Sequence, residues 1–311
     1  MKIALFDDFK LGVLKDSQTI VDATEVISDL ATYDPGDRMI KLIENFNKYK
    51  PGLEAASRGA GIPISSVRLR PPLPRPRNIV CMAVNYMENG TRKERPPKNA
   101  FLKSPNCIVG DGDTMVLPDV PATAFEGEAE LAVVIGRRAS NVPAASAMTY
   151  VFGYINFIDG SARGLQDGGN TFFQMKSRDT FAPIGPYIVT ADEVADPHNL
   201  RVRLWVNGEL MQDYNTNDMA HDIPTSIEFL SSVHTLEPGD IIGMGTNHLG
   251  LNPFQNGDLV ELETEQLGRL KISVKDDLQR TWLRETRQAR AERGEKGLPP
   301  QLSGKYAKAN Q

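Results

Sequence analysis

Residues 124–136 read Ala-Phe-Glu-Gly-Glu-Ala-Glu-Leu-Ala-Val-Val-Ile-Gly, and this stretch decides the fold class. Its apolar second half is rich in valine and isoleucine, which predicts a buried β-strand that ends at Gly136. Side chains two apart on a strand point to the same face, with Cα atoms about 6.6 Å apart. We therefore expect Glu126, Glu128 and Glu130 to project from one face of this strand into a hydrophobic interior.

Three carboxylates on one face of a buried strand would repel one another and resist ionisation. A hard divalent cation relieves both effects, because it prefers carboxylate oxygens as ligands. The alternative is an acidic strand end in contact with solvent, and the spacing alone does not choose between the two. A second strand-like run begins at Val151 and ends at Asp159. That aspartate is either a turn former or helix cap, or a third oxygen donor.

The composition excludes several classes of function. The 311 residues are 40% hydrophobic and 24% charged, which is typical of a globular protein with one large core, or a large core and a small one. The net charge of −5 argues against nucleic acid as a partner. No apolar run approaches the roughly 18 residues of a membrane span.

The cysteines and the first residues bear on location. Cys81 and Cys107 are the two cysteines of the chain, and they indicate neither a disulfide framework nor a zinc site. Acidic residues follow the first apolar residues too closely for a signal peptide. We therefore expect a cytoplasmic protein in a reducing compartment.

The first part of the chain is predicted to form a small N-terminal α+β domain, residues 1–70. Hairpin strands are expected at 2–6 and 10–14, and helices around 21–32 and 37–48. Residues 69–77 contain four prolines in nine positions, so they cannot be helical and indicate a linker or wrapping segment.

The remainder divides into two predicted regions. Residues 71–274 contain short apolar runs between clusters of Gly, Pro, Asn and Asp, which favours a β-rich catalytic domain. Helices are expected there at 144–149 and 223–233. Residues 275–311 predict a charged helical C-terminal extension, with Trp282 and Leu283 as its main apolar anchors.

Nine short blocks are spread over roughly residues 75–273. They are Asn85-Tyr86, Phe101-Leu-Lys103, Glu128-Ala-Glu-Leu131, Gly153–Arg163, Lys176–Pro186, Val206-Asn-Gly-Glu209, Thr216-Asn-Asp-Met219, Leu236-Glu-Pro-Gly-Asp240 and Gly245-Thr246. In this order they resemble the fumarylacetoacetate hydrolase family, in particular its acylpyruvase and 2-hydroxyhepta-2,4-diene-1,7-dioate isomerase members. Each block alone is weak, but nine in the family's order are specific.

The resemblance implies a mixed β-sheet roll, hence an α+β, β-rich fold, usually assembled as a homodimer. It also implies roles for seven residues. The implied metal ligands are Glu128, Glu130 and Asp159; the implied substrate contacts are Arg163, Gln166, Lys176 and Thr246. Glu126 lies just outside the family's pattern.

Carboxylate ligands without nearby cysteine or histidine favour Mg²⁺, with Mn²⁺ or Ca²⁺ as alternatives, over zinc. Three protein donors leave about three positions of an octahedral ion for water or substrate. A 1,3-dicarbonyl compound or a 2-keto acid can fill two of them, and the cation then stabilises an enolate. Lys176 is expected to act catalytically, and with Arg163 to hold the substrate carboxylate.

The sequence departs from the family at its acid–base pair. In many members a His-x-x-Glu pair follows the Asn-Tyr block, whereas this chain has Asn89 and Arg92 there. Neither side chain is a general base at neutral pH. We expect His248, in the loop that replaces the family's Gly-Thr-Pro loop, to take this role. Weaker candidates are His221, Glu88 and Glu94.

The sequence therefore predicts a divalent-metal-dependent hydrolase that cleaves a C–C bond in a 1,3-diketone or a diketo acid such as an acylpyruvate, through a metal-bound enolate. The absent pair leaves open a keto–enol tautomerase, an isomerase or a decarboxylase of a 2-keto acid, since tautomerisation needs no attack by water. A non-catalytic metal-binding interaction protein is also left open, but such a protein would need neither Lys176 nor Arg163.

Overall fold

The structure, a computed structural model, describes residues 1–166 and 168–307. Strands β1 to β19 are Lys2–Phe6, Lys10–Leu14, Thr19–Asp22, Ile62–Pro63, Leu69–Arg70, Ile79–Met82, Ala100–Lys103, Ile108–Val109, Thr114–Val116, Ala124–Ile135, Val151–Arg163, Ala182–Thr190, Arg201–Val206, Glu209–Asn215, Ile241–Gly243, Leu259–Thr264, Arg269–Lys275, Thr281–Trp282 and Gln301–Ser303. Helices α1 to α6 are Pro35–Glu44, Phe46–Ala56, Ala144–Ala147, Phe172–Lys176, Ile223–Val233 and Arg287–Glu292.

The strands form a mixed twelve-stranded sheet and a smaller five-stranded sheet. The main path of the large sheet runs β4-β3-β2-β1-β12-β11-β10-β15-β6-β7, and the small sheet runs β14-β13-β16-β17-β9. Most neighbours are antiparallel, but β15 and β6 are parallel. The α+β, β-rich class predicted from the sequence is confirmed. Within residues 1–166 and 168–307, no helix is long and apolar enough to cross a membrane.

Strand β10 is buried along its whole length because both of its faces are covered. On one face, Phe125 and Ala129 pack in a cluster with core residues of the five-stranded sheet. On the other face, which carries the glutamates, Ala132 and Val134 pack with N-terminal core residues. Both faces of the strand that carries the carboxylates are therefore packed against other parts of the protein.

The first 70 residues continue the large sheet. Strand β1 pairs with β12, with Lys2 opposite Val189, and the two predicted hairpin strands coincide with β1 and β2. The predicted helix at 21–32 is instead the end of β3 followed by a 3-10 turn at Thr24–Leu30, because Ile20 and Val21 pair with β2. The domain boundaries proposed from the sequence stay a prediction.

The C-terminal extension differs from the predicted helix. Only Arg287–Glu292 are α-helical in its described part, while β18 and β19 form a two-stranded ladder. Trp282 is buried and meets Phe125 edge to face, with ring centroids 5.8 Å apart. Because this packing and the ladder require extended backbone, tertiary contacts override the helix propensity of the charged residues.

Candidate active site

The register of β10 and β11 brings the predicted metal ligands together. Glu128 lies directly opposite Asp159 in the antiparallel ladder, and Glu130 lies two residues further along β10 on the same face. All three side chains are buried, and one oxygen from each lies within 4.8 Å of the others. Glu128, Glu130 and Asp159 are called the carboxylate cluster below.

Two buried lysines contact the carboxylate cluster. Lys176, at the end of α4, places Nζ 2.5 Å from Asp159 Oδ2 and 3.0 Å from Glu128 Oε2. Lys103, at the end of β7, places Nζ 2.6 Å from Asp159 Oδ1 and donates to the carbonyls of Gly160 and Lys176. Sequence reasoning gave no role to Lys103, although it ends one of the nine blocks, because a lysine at a strand end has no chemical signature of its own.

Arg163 connects the cluster to Glu126. Its Nε donates to Glu126 Oε2 at 3.0 Å, and its Nη2 donates to Glu128 Oε1. Glu126 also accepts hydrogen bonds from Arg287, in the C-terminal extension. The carboxylate of Glu126 is therefore bound by two guanidinium groups.

Glu130 is bound differently from its neighbours. Its Oε2 accepts a hydrogen bond from the backbone N–H of Gly245 at 3.0 Å, and within the described residues no lysine or arginine forms an ion pair with it. Gly245 has φ of +82°, and a Cβ there would lie 3.0 Å from the Cβ of Asn85. This loop therefore requires glycine in order to present its N–H to Glu130.

The pKa values of Glu128 and Glu130 are shifted in opposite directions by burial and by neighbouring charges. Burial opposes the ionisation of Glu128, but Lys176, Arg163 and His248 hold the pKa of this carboxyl well below its usual range. Burial raises the pKa of Glu130 well above its usual range, and the nearby Asp159 and Glu128 raise it further. Although burial disfavours a charged lysine, Asp159 and Glu128 raise the pKa of Lys176. Glu130 is thus the carboxyl that a further cation would stabilise most.

The donor set fits a hard divalent cation. The cluster offers three carboxylate oxygens within chelating distance, and neither a thiolate nor an imidazole belongs to it in the described part of the chain. Oxygen-only donors favour Mg²⁺, Mn²⁺ or Ca²⁺. The assignment of these residues as metal ligands stays a prediction, but their geometry is compatible with it.

His248 is paired with Glu88 across a gap of 160 residues. Its Nδ1 donates to Glu88 Oε1 at 2.6 Å, and its backbone N–H donates to Glu88 Oε2 at 2.8 Å. The turn that carries Glu88 is tight, with φ of +55° at Glu88 and +52° at Asn89. His248 is close enough to the cluster to lower the pKa of Glu128. A carboxylate–imidazole pair therefore lies beside the cluster, built from two loops.

The weaker acid–base candidates lie in other surroundings. His221 places Nε2 2.8 Å from the carbonyl oxygen of Pro96, which indicates a structural role. Glu94 is exposed. Asn89 and Arg92 occupy the positions of the family's missing pair; Asn89 is exposed, and its backbone N–H donates to Asp218.

The predicted substrate contacts Thr246 and Gln166 differ in burial. Thr246 is buried, and its Oγ1 accepts a hydrogen bond from Gln212 Nε2 at 2.8 Å. Gln212 also accepts a hydrogen bond from the backbone N–H of Ala129, which lies between Glu128 and Glu130. Gln212 therefore connects the Thr246 loop to β10. The sequence around Gln212 does not predict this contact. Gln166 is exposed, and its side chain makes no hydrogen bond with the described residues. Both roles stay predictions.

Known proteins resemble this chain over most of its length. Residues 78–275 match the family described as fumarylacetoacetate (FAA) hydrolase C-terminal. A maleylpyruvate hydrolase of Aquipseudomonas alcaligenes is 33% identical over 292 residues, covering 88% of this chain and 99% of that protein. A mitochondrial oxaloacetate tautomerase of Rattus norvegicus is 36% identical over 260 residues, covering 78% and 82%.

A solved structure extends the similarity to the fold. It is the crystal structure of maleylpyruvate hydrolase from Sphingobium sp. SYK-6 in complex with manganese(II) and pyruvate. The TM-score is 0.79 at 37% sequence identity, and the match covers 89% of this chain and 99% of that one.

Proposed function

The chain belongs to the fumarylacetoacetate hydrolase family, and on that premise we propose that it is a divalent-metal-dependent hydrolase that cleaves a C–C bond of an acylpyruvate-type diketo acid. Its relatives are enzymes that include a hydrolase and a tautomerase, so the predicted family and enzyme class are confirmed. The observation that carries the specific proposal is the carboxylate cluster, with oxygens within 4.8 Å of one another and Glu130 lacking a cation partner among the described residues.

Glu128, Glu130 and Asp159 would hold the cation, for which we propose Mg²⁺ or Mn²⁺. When bound, the cation supplies Lewis-acid stabilisation of negative charge on the substrate oxygens. The related maleylpyruvate hydrolase structure contains manganese and pyruvate, which supports a keto acid as the type of ligand.

Arg163 and Lys176 suit an anionic substrate. Both cations lie on the cluster, and each contacts Glu128. A substrate carboxylate can replace part of these contacts with a charge-assisted hydrogen bond to the guanidinium or the ammonium group. We assign to these two residues the binding and orientation of the carboxylate.

Hydrolysis consumes one water molecule. The bond between the acyl carbon and the neighbouring methylene carbon breaks; the hydroxyl of water remains on the acyl carbon, which becomes a carboxylic acid. The methylene carbon keeps the electron pair and takes a proton, which gives pyruvate. We assign these proton transfers to Nε2 of His248, because Glu88 occupies Nδ1 and thereby fixes the orientation of the ring.

A tautomerase is the second candidate, because the acid–base arrangement is sufficient for its chemistry. One imidazole can remove a proton from carbon and return it to oxygen without an attacking water. The rat relative is named an oxaloacetate tautomerase, so the same residues should also be tested with oxaloacetate.

The test treats the protein with EDTA, restores Mg²⁺ or Mn²⁺, and offers acetylpyruvate, maleylpyruvate and oxaloacetate. Loss of the enol absorbance, release of pyruvate and release of CO₂ are measured separately. We expect one pyruvate for each acylpyruvate consumed. Enol loss without pyruvate would establish the tautomerase instead, and no turnover with either metal would overturn both proposals.

The role of His248 has its own test. His248→Ala should lower kcat by about 10²- to 10⁴-fold, as expected when a general acid–base group is lost. His198→Gln is the matched control, because His198 lies outside the site, where its Nε2 accepts a hydrogen bond from the backbone N–H of Ile223 at 3.2 Å. Unchanged kcat in His248→Ala would contradict the assignment.

We also propose that the chain forms a homodimer. Strand β7 is at the edge of the large sheet, where Leu102 is 58% exposed and Val233 of the neighbouring α5 is 69% exposed. These residues line one shallow, mainly apolar depression, which a second copy could cover. Sedimentation should give a dimer that Leu102→Glu converts to a monomer; a monomeric wild-type protein would contradict this.

A further inference from the structure

The side chain of Arg287 connects the C-terminal extension to the active site. Its Nε donates to Glu126 Oε1 at 3.1 Å, and its Nη2 donates to Glu126 Oε2 at 2.5 Å. The carboxylate of Glu126 is completely buried, and its Oε2 also accepts from Arg163 at 3.0 Å. Glu126 therefore bridges the extension and the arginine assigned to the substrate carboxylate.

The bridge affects how much of the charge of Arg163 is available to a ligand. Arg163 lies between two carboxylates, Glu126 and Glu128, and a substrate carboxylate must compete with both. Arg287 shares the negative charge of Glu126, which weakens the hold of Glu126 on Arg163 without releasing it. Bidentate arginine–carboxylate geometry also fixes the plane of the Glu126 carboxylate, and so the direction from which it holds Arg163.

The backbone fixes Arg287 in this position. Its N–H donates to the carbonyl of Leu251 at 2.9 Å, and the next N–H, of Gln288, donates to the carbonyl of Leu249 at 2.8 Å. Leu249 and Leu251 follow His248 shortly in the same loop. The extension is further anchored by Trp282, whose Nε1 donates to the carbonyl of Thr123 at 2.7 Å. Arg287 lies beyond residue 275, where the family match ends.

We propose that Arg287 is a positioning residue that holds Glu126 and, through it, sets the orientation and free charge of Arg163 for the carboxylate of a keto acid ligand. The inference rests on the proposed function, since it takes Arg163 as the carboxylate-binding group. The C-terminal extension is thereby part of the substrate-binding apparatus.

Binding to the Mn²⁺-loaded protein, measured by calorimetry, tests this. The probes are pyruvate, which has a carboxylate, and acetylacetone, a dicarbonyl chelator without one. Arg287→Gln should weaken pyruvate binding by about 10- to 100-fold, the order of effect of removing a hydrogen bond to a charged group, and change acetylacetone binding by less than about twofold. Arg287→Lys should recover part of the pyruvate affinity. With an acylpyruvate substrate, KM should rise more than kcat falls.

The matched control is Arg293→Gln. Arg293 belongs to the same extension but pairs with Glu285 and Glu295, away from the site. The Arg293→Gln protein should therefore bind both probes with the affinity of the wild-type protein. In a Glu126→Gln background the effect of Arg287→Gln on pyruvate should largely disappear, because the bridge is already broken.

Three results would overturn the inference: Arg287→Gln binding pyruvate as Arg293→Gln does, equal loss of both probes, or a wild-type protein that binds no pyruvate. Equal loss would mean that Arg287 supports only the fold, which the melting temperature would register. A wild-type protein that binds pyruvate but cleaves no diketo acid would refute the proposed function alone and leave the role of Arg287 standing.

Discussion

Two buried ionic clusters of this chain are completed in different ways. In the first, Asp276 and Arg280 have fully buried side chains and form a bidentate pair, with Nε–Oδ2 and Nη2–Oδ1 distances of 2.9 Å. Two of the three remaining guanidinium N–H groups donate to the carbonyls of Pro118 and Val120. One buried cation is therefore paired with one buried anion.

The carboxylate cluster is not completed in this way. Asp159 and Glu128 are paired with lysines and Arg163, but Glu130 has one backbone N–H and, among the described residues, no cation. A buried carboxylate without a partner is costly, and the pKa of Glu130 is raised accordingly, first by burial. We therefore interpret the Asp276–Arg280 pair as one that only stabilises the fold, and we propose that the carboxylate cluster binds a further cation.

The largest expected effect follows from breaking the second cluster. Glu128→Gln removes a proposed ligand, and metal stabilisation of charge is worth several kcal/mol. We therefore expect kcat/KM for an acylpyruvate to fall by about 10³-fold or more, measured as pyruvate release with saturating Mn²⁺. Asp276→Asn is the control and should keep its kcat/KM per folded molecule. Wild-type turnover by Glu128→Gln would contradict its role as a metal ligand.

Breaking the first cluster should affect stability alone. Asp276→Asn leaves the buried Arg280 without its counter-ion, and such a change lowers the free energy of unfolding by about 3–5 kcal/mol. Urea denaturation of the metal-free protein measures the loss. Affinity for Mn²⁺ should not change. A loss below about 1 kcal/mol, typical of an exposed pair, would show that the two clusters are not as different as proposed.

Glu130→Gln should stabilise the metal-free protein. The pKa of Glu130 is raised on folding, so its ionised form opposes folding at neutral pH; for the same reason this residue makes the wild-type protein more stable as the pH falls through its folded pKa. A neutral glutamine removes the cost, and we expect a gain on the order of 1 kcal/mol together with loss of Mn²⁺ binding.

The control for this stabilisation is Glu126→Gln. Glu126 is equally buried but is bound by two arginines, so its neutralisation should lower the melting temperature. If Glu130→Gln lowered the melting temperature in the same way, Glu130 would be paired in solution and the contrast between the two carboxylates would fail.

The smallest effect on stability is expected at an exposed cluster of charges, where solvent screens the interactions. A hydrogen bond from Thr190, with a further contribution from Lys50, lowers the pKa of Asp192 from 3.8 to about 2. The resulting stability is present above about pH 4 and is lost as the pH falls towards 2. Because the side chain is 57% exposed, screening should keep the contribution below about 1 kcal/mol.

Thermal unfolding of wild type and Asp192→Asn at pH 6 and pH 3 measures this contribution. The difference between the two proteins should be small at pH 6 and smaller at pH 3. A difference that grew at low pH would contradict the lowered pKa.

Sequence reasoning reached the strand and its glutamates because alternation on a buried strand is a local property. The placement of Asp159 opposite Glu128 depends on the register between β10 and β11, which no local pattern contains; only the family resemblance suggested it. The prediction that the C-terminal extension is mainly helical is wrong for a related reason. The buried contacts of Trp282 fix the backbone there, and helix propensity does not report them.

The contacts that sequence reasoning missed are all long-range. Lys103 meets Asp159 across 56 residues, and Glu126 meets Arg287 across 161. The sequence makes Glu88 only a weak candidate for the acid–base role, since charged side chains on loops usually face water. Its contact with His248 depends on how two loops pack, and each loop alone gives no sign of the other.

Calorimetric titration of the EDTA-treated protein with Mn²⁺ measures whether a divalent cation completes the carboxylate cluster. We predict one Mn²⁺ per chain, with binding lost in Glu128→Gln and retained in Asp276→Asn. Absence of Mn²⁺ and Mg²⁺ binding by the wild-type protein, or undiminished binding by Glu128→Gln, would contradict this claim.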